Sequence, residues 1–280
     1  MKAKHLSYYL PIALYTVLVV VPMAAGGVYA LLYSFGVAGI FSEGVTVRHW
    51  AEVLSSSEFV RSIVLSFALA ATTTLVAVGS GLLAGVVLRE RLQRGIFATI
   101  AQIPLAMPAA VAALFVLQVF SGGGLGARLL LGFGLIDSIE HFPSLVHDPL
   151  GIGIVLAHAL TAAPFFALLF AQLHKSENVP ALAALASTLG ASRPQRFWRI
   201  TAPVLLSRAQ ANIALLFVAV LGSYEIPLLL GLQSPQMLSV LAHRKYAMFD
   251  LAEKPQAFVL AVIYAVVVLL AVRKGIRAKG

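Results

Sequence analysis

The sequence predicts an all-α fold, a polytopic membrane bundle of six transmembrane helices, on three observations. Hydrophobic residues make up 60% of the chain and charged residues 11%, against roughly 25% charged in a soluble domain. Six apolar stretches reach the length of about 20 residues that a membrane-crossing helix requires: Tyr8 to Phe35, Val60 to Leu88, Ile96 to Phe120, Ile152 to Leu173, Val204 to Leu232 and Gln256 to Val272. The alternation of apolar and polar residues that a membrane β-barrel needs is absent, which leaves helices. Several stretches exceed the minimum, so tilt, kinks or overhanging ends are expected. Residues 1–280 read as a single transmembrane domain.

The net charge is +9, and its distribution sets the topology. Lys2 and Lys4 precede the first span, and Arg89, Arg91 and Arg94 lie between the second and third. Lys175, Arg193, Arg196, Arg199 and Arg208 lie around the fourth-to-fifth connection, while Arg273, Lys274, Arg277 and Lys279 follow the sixth span, fourteen in all. The opposite side carries six: Arg48, Arg61, Arg128, Arg244, Lys245 and Lys254. Positive charge marks the cytoplasmic side, so both termini and the fourth-to-fifth connection are predicted to be cytoplasmic. Topology accounts for the basic excess, and nucleic acid is not needed as a partner. Cysteine is absent, which excludes a disulfide framework and thiolate metal ligation. No metal or cofactor is expected. Lys2 and Lys4 ahead of an apolar run also fit a signal peptide, but the run outlasts the roughly 7 to 15 residues of a signal core.

Taken in order, span one contains Pro11 and Pro22, and the loop after it holds Trp50 beside Arg48 and His49, a set suited to anchoring at the membrane interface. Span two contains Gly81-Leu82-Leu83-Ala84-Gly85, whose glycines four apart admit close approach of another helix, in a partner or within the chain. Pro104 and Pro108 are expected to bend span three. The glycine-rich stretch that follows Phe120 trails no strand and lacks the lysine of a nucleotide-binding loop, so it reads as a connection with a short apolar helix from Ala127 to Leu131. Span four carries Pro164 and His158, a lone histidine with no second one at metal spacing, which suits hydrogen bonding between helices better than ligation. Span five carries Asn212, Tyr224 and Glu225, the one acidic residue inside an apolar segment. An ionised group at the centre of a membrane helix costs roughly 2.5 to 3.5 kcal/mol, so it normally faces a pathway or a partner. Glu225 lies toward the outer half, where water reaches, and a simple interface role remains open. His158, Asn212, Tyr224 and Glu225 are the pathway candidates.

The stretch Val179 to Pro203 neither crosses the membrane nor reads as a passive loop. Val179, Leu182, Ala186 and Leu189 have helical spacing, and Gly190 stops that helix because glycine accepts the left-handed angle of a helix C-terminus. Ser192 and Gln195 have the spacing of a capping box for a second short helix, which carries Arg193, Arg196 and Arg199 beside Phe197, Trp198 and Ile200 and is closed by Pro203. The same spacing also fits a solvated loop whose arginines anchor the neighbouring helices.

This stretch resembles the cytoplasmic signature, the EAA loop, of binding-protein-dependent ABC importer permeases. Ala184-Leu185-Ala186 stands where that family has Glu-Ala-Ala, Gly190-Ala191-Ser192 matches its Gly-Ala-Ser, and Ile200 and Pro203 match its Ile-x-x-Pro ending. The family's glutamate is missing at Ala184, which removes any ion pair it makes but leaves the helix-turn-helix shape. The resemblance covers nearly the whole chain. Ile103-Pro104-Leu105-Ala106-Met107-Pro108 looks like the third helix of the branch serving iron(III), thiamine, sulfate and polyamines, Gly153 to His158 with Pro164-Phe165 is similar to its fourth, and Tyr224 to Gly231 to the end of its fifth. The family implies a type I ABC importer permease architecture and a multi-pass subunit of the bacterial inner membrane. It implies three protein partners: a separate ATP-binding cassette ATPase, a second permease subunit as homodimer or heterodimer, and a periplasmic solute-binding protein. The segment 179–203 would couple to the ATPase through Leu182, Ala184, Leu185, Ala186, Leu189, Gly190, Ala191, Ser192, Ile200 and Pro203.

The residues agree with that division of labour, because no Walker-type phosphate loop occurs in the chain. An ion-coupled secondary transporter is the main rival, and it commonly has several ionisable groups near the midplane and repeated halves. Glu225 alone is a candidate here. A membrane hydrolase would need HExxH, GxSxG or paired intramembrane carboxylates, none of which is present. Glu225 leans the substrate toward a small cationic solute. The distribution of basic residues predicts that a reporter fused after Gly280 is active only if it functions in the cytoplasm, and activity of a periplasmic reporter there would overturn the six-span topology.

Overall fold

The structure, a computed structural model, describes residues 10–39, 42 and 44–277, with side chains for all of these except 272 and 274–277. Lys2, Lys4, Tyr8 and Lys279 lie outside the described residues. The described chain is helical with no strand, and six of its helical segments are long and apolar enough to cross a membrane. It divides into two compact units, one built from the chain up to Val60 with Leu241–Val267, the other from Arg61–Val240 with the stretch from Val268.

The first unit begins with α1 (Leu10–Ser34). Its apolar side chains are exposed up to Val28 and Tyr29, Ala30 is half-buried, and Tyr33 and Ser34 are buried. Tyr33 stacks on Phe258 of α13 (Lys254–Arg277) with ring centroids 4.3 Å apart, and Tyr29 meets the same ring edge-on at 5.9 Å. Offset and edge-on aromatic pairs of this kind contribute about 0.5–1.5 kcal/mol beyond burial. α2 (Arg48–Ser55) carries Glu52, which accepts from Arg48 Nε at 2.7 Å and from Gln256 Nε2 at 3.0 Å. The Arg48 hydrogen bond holds the Glu52 carboxyl below its ordinary value. Lys245 donates to Glu253 and to Gln256, and Arg244 to Glu58, so the polar ends of this unit are tied by charge-assisted bonds.

In the second unit α3 (Ser57–Val87) runs on from its first residues as an unbroken helix and packs against α8 (Ile152–Ser176). The contact is set by Gly81 and Gly85. A Cβ at Gly81 would stand 2.5 Å from Phe166 Cβ, and one at Gly85 would stand 2.7 Å from the Ala167 carbonyl oxygen and 2.9 Å from Phe170 Cβ. The glycine pair therefore serves a contact within the chain. Around it Val78, Leu82, Phe166, Phe170, Val179, Ala202, Leu205 and Ala209 form one core. A second core joins Leu69, Ala113, Val116, Ile154, Ala157, Ile226, Leu230 and Met237.

Two expected spans are divided differently. After the short α4 (Arg89–Leu92), the stretch expected as one bent third helix is broken into α5 (Ile96–Gln102), a 3-10 turn over Ile103–Ala106 and α6 (Ala109–Phe120). Met107 is extended at ψ 125°, as a residue before proline must be, and Pro104 and Pro108 together leave too few donors to carry the helix across. The apolar stretch that qualifies as the third span is Ala109–Gly132, which includes α7 (Leu125–Gly132), the short helix anticipated at Ala127 to Leu131.

The fifth span begins earlier and ends earlier than expected. Following α9 (Val179–Thr188), α10 runs from Arg193 to Leu221 through a π turn at Phe197–Thr201, so Pro203 does not close a separate short helix but lies inside a continuous one. The π turn widens the backbone just ahead of the proline, where the ring would otherwise strike the preceding carbonyl. The same arrangement occurs in α1, where the π turn Thr16–Val20 precedes Pro22. α10 stops at Gly222, and Glu225 opens a separate helix, α11 (Glu225–Leu230). Pro227 explains the break, since in a continued helix it would have no N–H for the Ser223 carbonyl, which instead accepts the Ser239 hydroxyl at 2.5 Å. α12 (Leu238–Ala247) follows, with the Leu238 N–H donating to Ser66 Oγ at 2.8 Å.

Gly85→Val should cost about 1–3 kcal/mol through overpacking of α3 on α8. The measurement is the thermal unfolding midpoint of the protein in detergent, and an unchanged midpoint would show that the two backbones have room to part.

Candidate functional site: the turn between the fourth and fifth spans

α8 ends at Ser176 and Asn178 takes the left-handed conformation at φ 51°, which turns the chain into α9. Val179, at the start of α9, is 0% exposed within the core that holds Phe166, Phe170 and Leu205. Burying one such side chain contributes about 1.5–3 kcal/mol, enough to pin the helix. Glu177 adds an ion pair to Arg208 on α10 at 2.9 Å, a solvated contact that is worth little alone but that ties the two sides of the turn.

The end of α9 is a Schellman motif. Gly190 has φ +82°, its N–H donates to the Ser187 carbonyl at 3.0 Å, and the Ala191 N–H donates to the Ala186 carbonyl at 3.0 Å. Nothing lies within 4 Å of where a Cβ on Gly190 would be, so the glycine is required by the backbone angle and not by crowding. Ser192 and Gln195 form the anticipated capping box, with the Ser192 N–H donating to Gln195 Oε1 at 2.8 Å.

The row Val179, Leu182, Ala186 and Leu189 is helical, as its spacing predicted, and is divided between two sides of α9. Val179 points into the core, Ala183 and Ala186 are half-buried behind it, and Leu182, Ala184, Leu185 and Leu189 are exposed. Leu189 is 82% exposed. The result is an apolar stripe at positions 182, 185 and 189 on a helix whose other side is fixed. Ser192 is exposed, whereas Ala191 and Ile200 are half-buried. Phe197 packs against the core and Trp198 turns away from it, 68% exposed.

The pathway candidates are distributed over three helices. Tyr224 and Glu225 stand at the start of α11, His158 on α8, against which α11 packs, and Asn212 on α10. Glu225 is exposed at the N-terminal end of a short helix, a position that suits a carboxylate, and not within a spanning helix as the sequence suggested. Among the described residues no hydrogen bond or ion pair joins Glu225, His158 and Asn212. His158 Nε2 is buried with no hydrogen-bond partner, so the helix-to-helix bond expected of it is not made through that atom.

Two residues that sequence reasoning passed over hold the connection between the third and fourth spans. The Asp148 carboxylate accepts the N–H groups of Leu150 and Ile152, each at 3.0 Å, and so caps the start of α8. His147 donates its backbone N–H to the Leu230 carbonyl at 2.9 Å and its ring Nε2 to the Leu229 carbonyl at 3.0 Å, closing the end of α11. An Asp-Pro pair ahead of an apolar run was the available signal for the first. The second had none, because it joins positions far apart in the chain.

Residues 77–277 match the family described as the binding-protein-dependent transport system inner membrane component. No curated protein matches the chain. In fold it is similar to a chain in the crystal structure of a bacterial ABC transporter involved in the import of the acidic polysaccharide alginate, with 20% identity over 99% of this chain and 95% of that chain and a TM-score of 0.71. A second similar chain is from the bacterial alginate ABC transporter in complex with an alginate pentasaccharide-bound periplasmic protein, with 21% identity over 98% of this chain, 93% of that chain and a TM-score of 0.71. At these identities the likeness concerns fold.

Proposed function

Since the chain belongs to the family of binding-protein-dependent transport system inner membrane components, we propose that it forms half of the translocation pathway of a type I ABC importer and couples to a separate ATPase through residues 179–203. The observation that carries this reading is the apolar stripe Leu182, Leu185 and Leu189 on a helix locked from behind by buried Val179. A stripe of that kind on a rigid support is a helix-in-groove ligand, and the groove would belong to the ATPase. Ala184 is exposed beside it, so replacement by the family's usual glutamate meets no core.

Further partners follow from the same reading: a second permease subunit completes the pathway, and a periplasmic solute-binding protein delivers to the outer side, with the whole in a bacterial inner membrane. The motifs of the third to fifth helices favour the iron(III), thiamine, sulfate and polyamine branch. Exposed Glu225 favours a cationic solute. Membership of the family sets aside an ion-coupled secondary transporter.

Gly190→Val should strain the left-handed turn by about 1–2 kcal/mol, too little to unfold the bundle but enough to swing the following helix relative to α9. Membrane insertion should persist while recovery of the ATPase with the permease falls and substrate-stimulated ATP hydrolysis is lost; Ala184→Glu should be tolerated. Equal recovery of the ATPase at equal permease levels, with normal stimulation, would show that α9 and its turn are not the coupling element.

Glu225→Gln preserves shape and removes charge. Uptake of the substrate should fall while the amount of folded protein in the membrane stays near normal. Unchanged uptake would make Glu225 an interface group only, and disappearance of the protein would make it structural.

A further inference from the structure

A groove of about 690 Å³ runs between α3 and α10, with Leu75, Leu82, Trp198, Leu206 and Ile213 in its wall and no charged side chain lining it. Both helices are long and apolar enough to span a membrane, so the groove follows membrane-crossing surface. One end is bounded by Phe197 and Trp198 of the π turn. Arg199 sits on that turn, and Arg193 and Arg196 on the turn before it.

These three arginines differ from Arg208 and Arg89. Arg208 pairs with Glu177 at 2.9 Å and Arg89 lies 3.5 Å from Glu90. Among the described residues no carboxylate pairs with Arg193, Arg196 or Arg199. Arg196 Nε is buried and has no hydrogen-bond partner. A phosphate, with several acceptor oxygens in a geometry that matches the guanidinium fork, offers the accessible ends of these side chains the anionic partner that the described residues do not supply. An empty apolar groove loses the dispersion contacts that a hydrocarbon chain would restore. Tryptophan at the mouth suits the boundary between headgroups and acyl chains.

We propose that the groove between α3 and α10 holds an acyl chain of an anionic phospholipid whose phosphate headgroup is bound by Arg193, Arg196 and Arg199. Charge decides the class of lipid: a zwitterionic headgroup carries a cation of its own that three unpaired arginines would repel. Its arginines and Trp198 lie in the same segment 179–203 as the coupling reading, but it uses none of the exposed leucines of α9 that carry that reading.

The test is native mass spectrometry of the full chain in mild detergent, titrated with phosphatidylglycerol or with phosphatidylcholine of the same acyl chains. Phosphatidylglycerol should bind at about tenfold lower concentration, the difference that one charge-assisted contact supplies. The double change Arg196→Gln and Arg199→Gln should abolish the preference, and the exposure or partial exposure of both positions leaves the fold intact. A photoreactive residue at exposed Leu75 should cross-link to lipid. Equal binding of the two lipids, or a preference that survives the arginine changes, overturns the proposal. A cross-link from Leu75 to a second permease chain would also overturn it and would make the groove a subunit interface.

Discussion

The absence of side chains between α3 and α8 at Gly81 and Gly85 is the constraint on which one end of the second unit depends. With nothing larger than hydrogen there, Phe166 and Phe170 come down onto the α3 backbone, and the core they complete also takes in Val179 and Leu205. Helices in lipid gain little from burying apolar surface as such, so close backbone packing is what holds them. The position of α9 is thus inherited from a contact several turns away. The turn needs no large interface of its own because its first residue is already part of the core.

How much of this was legible in the sequence follows from which effects are local. Hydropathy and length found the six apolar stretches, and the left-handed glycine and the capping box of the turn were read from residues three or four apart. These depend on neighbours in the chain. The break at Gly222 was missed because its cause is divided: Pro227 removes a donor, but the freed Ser223 carbonyl is satisfied by Ser239, whose approach no local pattern reveals. Which side of α9 is turned inward was not legible for a related reason. Helical spacing gives the rows of a short helix, and only tertiary contact says which row is turned inward.

The candidate site was legible in part and for the same reason. Gly190, Ser192 and the leucines belong to one continuous segment, so a motif could find them together. His158, Asn212 and Glu225 are contributed by separate helices, and their chemical types alone did not show that Glu225 would open a helix of its own in an exposed position. His147 and Asp148 show the reverse case, two residues from one loop whose hydrogen bonds fasten helices that the sequence keeps about eighty positions apart.

The π turn at Phe197–Thr201 turns counting into geometry. Such a turn holds one residue more than the α-helical turn it replaces, and each residue of a helix is worth about 100° of rotation. The azimuth of Trp198 and of the three arginines relative to the rest of α10 is therefore set by a single surplus residue. A fixed membrane helix can in this way present its N-terminal extension on a different side without any change in the surface that it packs. Side-chain replacements tune what this end of the helix touches, whereas the residue count decides the direction in which it faces.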